Sequence, residues 1–387
     1  MSSVTFVHTS DLQLGMTRTF LPPEAQSRFD DARLAAVSRV GEIAAERGAE
    51  FIVIAGDVFE HNSLEKQTRG RALETLKALP LPVYLLPGNH DPLVADSMFT
   101  HTRALDNVRV IDSSEVVEVR PGVEIVGAPL TAKYASEDLV AKALRPLGPT
   151  DALRIAVGHG QAEARTTEAS PDLIDLAAVE AKLADGTIDY LALGDTHSTR
   201  SLGGSGRVWF SGSPETTDFH DHAPGAAGNE TDSGNALVVT LSKGADGASE
   251  SEVEKVRTGT WTFDALHWHV SDDDDVSSVL EQLEAYPDKA RTVVKYSLAG
   301  TLGLEATRRL EQGLDQLEPV FAALYERTRL MDLHLEPGDE ELENLPLAGF
   351  ARSAMAELAG LAADPANSSG PAARDAVNLL FRLSKEA

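Results

Sequence analysis

The 387-residue chain contains no cysteine. Disulfides, thiolate metal sites and cysteine nucleophiles are therefore excluded, and any metal must be held by His, Asp, Glu, Asn, Gln or water. Basic residues are scarce: 34 Lys and Arg against 61 Asp and Glu give a net charge of −27. That balance weighs against a broadly basic nucleic-acid surface, while leaving room for a local groove or a bridging cation. Aromatic residues amount to 5% and form no stripe on which single-stranded bases would stack. No apolar run approaches the length of a membrane span. No basic stretch with a longer apolar run precedes the first strand-like segment, Val4-Thr5-Phe6-Val7. The expected location is the cytoplasm, with no membrane partner.

What is present is ordinary for a globular protein of two or three domains: 42% hydrophobic and 25% charged residues. Short apolar runs at Val4–His8, Phe51–Ala55, Val83–Leu86, Ile155–Val157 and Tyr190–Leu193 read as buried strands. Helical spacing separates them, as in Phe29, Leu34, Val37, Val40 and Ile43. The alternation predicts an α/β fold whose sheet is covered on both faces. Pro214 to Asn235 reads as a surface loop. From about 259 to 336 a second strand–helix set reads as a small α/β domain. Residues 337–387 carry two amphipathic helical stretches, expected to cap that domain or to dock a partner.

In α/β sheets, ligands bind beyond the carboxyl ends of the strands. Each of the five runs leads into a polar cluster there: His8-Thr9-Ser10-Asp11, Gly56-Asp57, Gly88-Asn89-His90-Asp91, Gly158-His159 and Gly194-Asp195-Thr196-His197. Two hard divalent ions about 3.5–4 Å apart need a bridging carboxylate and further O and N donors from several directions. Asp57 suits the bridge, Asp11 adds a carboxylate, Asn89 a neutral carbonyl, and His159 and His197 imidazole nitrogen. Taken singly, each has a duller role: an aspartate as a helix cap, Asn89 as a turn residue, a lone histidine as a satisfied core residue. Five strand ends each presenting a donor argue for a site. Two other histidine pairs carry weaker signals. His220 and His222 read as loop residues. His267 and His269 alternate along a strand and read as its polar face.

The ordered motif set, with Leu14-Gly15 and Ser211-Gly212-Ser213-Pro214-Glu215, resembles the calcineurin-like metallophosphoesterases, and within them the SbcD-type DNA repair exonucleases. The resemblance spans roughly residues 4–335. It implies a two-sheet αββα core over residues 1–258, a capping domain at 259–336 and a C-terminal helical segment at 337–387. It implies one metal held by Asp11, Asp57 and His197 and a second by Asp57, Asn89 and His159. His90 would contact the phosphate and protonate the leaving oxygen, with Asp91 orienting it. The metals would be manganese, with magnesium or iron as alternatives. DNA would be the substrate and a coiled-coil ATPase of the SbcC type the partner; a homodimer is compatible with this. Two positions depart from the pattern: Gln13 and Asp195 stand where histidines are usual. Both keep an oxygen donor and are expected to remain ligands. The alternatives are a phosphodiesterase for small or cyclic nucleotides and a catalytically weak binding subunit.

Overall fold

The computed structural model describes residues 2–162, 170–223, 229–244, 247–335, 349–363 and 367–386. In chain order the strands are β1 (Ser2–Thr9), β2 (Phe51–Ile54), β3 (Val83–Leu85), β4 (Val108–Val110), β5 (Val117–Arg120), β6 (Val123–Gly127), β7 (Leu153–His159), β8 (Tyr190–Gly194), β9 (Arg200–Leu202), β10 (Val208–Phe210), β11 (His220–Asp221), β12 (Asn235–Lys243), β13 (Ser249–Arg257), β14 (Thr262–Val270), β15 (Thr292–Leu302), β16 (Ala323–Glu326) and β17 (Asp332–Leu335). The longer helices are α1 (Pro23–Glu46), α2 (Lys66–Lys77), α3 (Phe99–Thr102), α4 (Leu139–Leu144), α5 (Leu176–Ala184), α6 (Asp273–Glu284), α7 (Leu304–Leu317), α8 (Phe350–Ala363) and α9 (Gly370–Glu386). Packing divides the chain into two units, residues 1–219 with 228–263 and residues 220–227 with 264–387.

The first unit holds two six-stranded sheets, ordered β13-β12-β1-β2-β3-β4 and β5-β6-β7-β8-β10-β9. Within them β1 to β4 are parallel, as are β6, β7, β8 and β10. The period-two alternation of a strand assigns its residues to layers. Phe6, Phe51, Val53, Ile125, Ile155, Val157 and Tyr190 point between the sheets into one core. Val7, Ile52 and Ile54 point the other way, onto Val37, Val40 and Ile43 of α1 and Leu76 of α2. Ala156 and Leu191 meet Val140 and Leu144 of α4 and Val179 and Leu183 of α5. The result is the αββα sandwich. The strands read as doubly buried because each is covered by a helix layer on one side and by the other sheet on its opposite side. Each fully buried Val, Leu, Ile or Phe contributes about 1.5–3 kcal/mol, and this burial stabilises the strands whose ends carry the polar clusters.

The described residues of the segment 214–235 depart from the expected surface loop. Glu215, Thr217, Glu230 and Ser233 are buried. The Glu215 carboxylate accepts backbone N–H bonds from Thr216, Thr260 and Trp261. The polar composition that suggested solvent reflects internal hydrogen bonding instead.

In the second unit β15 pairs with β16 and β17, and β11 pairs with β14. Helices α6 and α7 bury Val276, Val279, Leu283 and Leu310 against Val270, Val294 and Leu298. Asp272 caps α6 by accepting from the N–H groups of Asp274 and Asp275, as its acidic start suggests. Met355 of α8 and Val377 of α9 are buried with Leu304, so the tail helices pack within this unit. The expected boundary at 336/337 falls outside the described residues. Among the described residues no helix is long and apolar enough to cross a membrane.

Candidate metal centre

The strand ends deliver the expected side chains to one place. Oxygen or nitrogen donors of Asp11, Asp57 and His159 all lie within 4.8 Å of one another. His159 Nε2 stands 2.7 Å from Asn89 Oδ1, 3.4 Å from Asp57 Oδ2 and 3.9 Å from Asp195 Oδ1. His197 Nε2 stands 3.9 Å from Asp11 Oδ1 and 3.5 Å from Gln13 Nε2. Two groupings therefore share the Asp11–Asp57 centre. His159, Asn89 and Asp195 lie on one side, and His197 and Gln13 on the other.

Backbone conformation marks the same residues. Among the described residues, the non-glycine positions with left-handed φ are Asp11 (53°), Gln13 (42°), Asp57 (53°) and Asp195 (96°). Each such residue costs on the order of 1 kcal/mol, a cost that tends to sit at functional sites. At these sharpest points the donor residues themselves bend the chain. Gly56 does take a left-handed φ of 97°. Gly88 serves close approach instead, because a Cβ there would sit 2.1 Å from Asp57 Oδ1.

The histidines are oriented from behind. His159 Nδ1 lies 2.8 Å from the Ala55 carbonyl, which can only accept, so Nδ1 carries the proton and Nε2 faces the carboxylates. His197 Nδ1 lies 3.3 Å from Glu230 Oε2 and also touches Thr217 Oγ1. Glu230 is itself fixed by the Thr217 N–H at 2.7 Å and the Asp218 N–H at 3.0 Å. This is the usual support for a metal-ligating imidazole, one ring nitrogen tied to a carbonyl or carboxylate and the other turned inward. Glu230 and Thr217 were not identified from sequence. They lie in the segment read as a loop and belong to no strand-end cluster.

Charge in the cluster is poorly compensated by protein alone. Burial raises the Asp11 carboxyl above its ordinary range. Burial would depress His197, but Glu230, Asp11 and Asp57 outweigh it and push the imidazole up to about 9. His159 goes the same way: burial opposes, and Asp57, Asp11 and Asp195 prevail. Protons on these two imidazoles balance carboxylates that burial has stripped of water. Gln13 Oε1 is buried with no hydrogen-bond partner, an orphaned carbonyl oxygen whose lone pairs suit a metal ion. Carboxylate and amide oxygens with inward-facing imidazole nitrogens fit hard or borderline divalent cations.

One expectation needs correction. Asp91 does not orient His90. Its carboxylate accepts from the N–H groups of Gly88 and Phe59 at 2.8 and 2.9 Å, and burial followed by Asp57 pushes its pKa up to about 7. Asp91 thus holds the loop carrying Asn89 against the loop after Asp57. His90 is oriented by the Glu60 carbonyl, 3.1 Å from Nδ1, while its own N–H donates to Asp57 Oδ1 at 2.9 Å. His8, in the first cluster, is a core residue: it sits between Tyr190 Oη and the Leu193 carbonyl, and burial lowers its pKa to about 3.

A family model for calcineurin-like phosphoesterases matches residues 4–199, just over half of the 387-residue chain. The chain belongs to this family. The family supports a metal-dependent hydrolase and implies a site for two divalent ions, for which the Asp/His cluster is the candidate. An uncharacterized metallophosphoesterase of Bacillus subtilis, YhaO, is 28% identical over 120 residues, 30% of this chain and 29% of that one. The DNA double-strand break repair protein Mre11 of Archaeoglobus fulgidus is 34% identical over 99 residues, 25% of this chain and 21% of that one. The matched stretches thus cover less than a third of either relative. A solved dimetal phosphatase from Danio rerio aligns with TM-score 0.37 and 10% identity over 66% of this chain and 99% of that chain.

Proposed function

We propose that the chain is a phosphodiesterase that cleaves DNA, an exonuclease or endonuclease of the SbcD-like repair type. The observation that carries the hydrolase reading is the convergence of Asp11, Asp57 and His159 donors within 4.8 Å. Asp11, Asp57, His197 and Gln13 would hold one divalent ion, and Asp57, Asn89, His159 and Asp195 the other, with manganese the expected metal. Bound there, such ions supply positive charge to phosphate oxygens and activate water. The protein's own residues do the rest. Glu230 and the Ala55 carbonyl keep the two Nε2 atoms turned inward. His90, half-exposed with Nδ1 held by Glu60, presents Nε2 to a substrate and can deliver a proton to the leaving oxygen. Asp91 fixes the loop from which His90 and Asn89 project.

The likeness to Mre11 over one stretch supports DNA as substrate, and the unbroken motif order supports an active site. A coiled-coil ATPase partner belongs to the same reading, with α8 and α9 as its dock, where Phe350 and Leu379 are exposed. The charge of −27 favours a small nucleotide instead. The test is the full chain with manganese against linear duplex DNA, cyclic nucleotides and bis-nitrophenyl phosphate. Preferential loss of the duplex supports the proposal. Turnover of cyclic nucleotides with intact DNA replaces it with the small-molecule reading, and turnover of none favours a binding subunit.

A further inference from the structure

We propose a second, separate metal site in the second unit, a zinc site formed by His220, His222 and Asp264. Their donor atoms lie within 4.8 Å of one another. His220 and Asp221 form β11, pairing in parallel with Asp264 and Ala265 of β14, and the N–H of His222 continues the ladder to the Ala265 carbonyl. Residues two apart on a strand share a face, so both imidazoles rise on one side, with ring centroids 4.0 Å apart. The strand partner of His220 is Asp264, which puts its carboxylate between them and β14.

The surroundings hold this set in place. Asp221, on the opposite face, is tied by His267 Nε2 at 3.0 Å and Arg327 Nη1 at 2.8 Å. That network takes up His267, the histidine read from sequence as polar strand surface, and it stops β11 from rotating. Tyr286 donates its hydroxyl to Asp264 Oδ2 at 2.5 Å. The other oxygen, Oδ1, faces His222 Nε2 at 3.2 Å. A carboxylate ligand with its outer oxygen hydrogen-bonded is how proteins aim such groups at metals. Tetrahedral zinc with bonds of about 2.0–2.1 Å separates its ligand atoms by roughly 3.3 Å. The His222–Asp264 pair already stands at that distance, and a His220 ring nitrogen lies within 4.8 Å of both. Two imidazoles and one carboxylate match zinc better than magnesium or manganese. His222 is exposed and His220 half-buried, so the fourth position opens to solvent. The zinc clamps the two-residue strand β11 onto β14.

The site is independent of the proposed hydrolytic chemistry. The experiment loads full-length wild type, His220→Ala/His222→Ala and His222→Gln with zinc, removes the excess by gel filtration and counts metal by mass spectrometry. His222→Gln keeps a hydrogen-bonding side chain opposite Asp264 and decides the matter if the double variant fails to fold. The expected result is one fewer zinc per chain in the variants. It is accompanied by loss of the intense visible band that tetrahedral cobalt gives wild type. Equal zinc content and an unchanged cobalt spectrum in a folded variant overturn the proposal.

Discussion

The two histidine–aspartate clusters are built from the same side chains yet differ in what surrounds them. In the first unit Asp11, Asp57 and His159 are buried, and four donor residues bend the chain into left-handed conformations. In the second unit His220, His222 and Asp264 sit on an ordinary strand pair, partly open to water. Burial strips the first cluster of solvent and leaves carboxylates that demand cations. Exposure lets the second satisfy itself with water and one ion. The first therefore has the strain and the shielded charge that chemistry uses; the second has only what a structural clamp needs.

The largest expected effect comes from Asp57, which both groupings share. Asp57→Ala should bring phosphodiester turnover to background in a manganese assay, while His222→Ala, which removes none of the strand-end donors, should leave it within about twofold of wild type. Comparable losses in both would erase the distinction between the clusters. Next is His90→Ala. If it moves a proton, turnover falls roughly a hundredfold or more and manganese content, measured on the same sample, does not. A parallel loss of metal would make His90 a ligand. Glu230→Ala should follow, costing about ten- to a hundredfold in manganese affinity or activity, because His197 loses the acceptor of its Nδ1 proton. An unchanged manganese titration would show that His197 needs no support.

A smaller effect separates the clusters by pH. His197 is raised to about 9 from an ordinary 6.5, so without metal the folded chain holds more protons than the unfolded one between those values. Its contribution to stability is full below 6.5 and lost as pH rises through 9. Asp91, raised to about 7, acts in the same direction from its ordinary 3.8 upward. The melting temperature of chelated protein should therefore fall from pH 6.5 to 9. Manganese should flatten the fall by replacing the protons. A flat profile for the chelated protein would mean that the imidazoles are neutral without metal.

The same contrast explains what could be read in advance. Asp11, Asp57, Asn89, His159 and His197 were legible because parallel strands end on one side of a sheet, so a local pattern fixes a spatial meeting. The paired sheets also followed, since Phe6 and Val7 alternate between two apolar layers. Glu230 was not legible: it reaches His197 across a segment whose polar composition resembles a loop. Nor was the His220–His222–Asp264 set, which depends on β11 pairing with a strand more than forty residues away. Asp91 was assigned to the neighbour beside it, although its carboxylate turns back to Gly88 and Phe59. Adjacency in sequence does not set side-chain direction.

The central claim is that the strand-end cluster of the first unit hydrolyses phosphodiesters only when divalent metal fills it. The most direct measurement is hydrolysis of bis-nitrophenyl phosphate by full-length protein after exhaustive chelation, and again after manganese is returned, with Asp57→Ala in parallel. The account predicts no turnover after chelation, recovery with manganese in wild type and none in the variant. Turnover that survives chelation, or that manganese restores equally in Asp57→Ala, would contradict it.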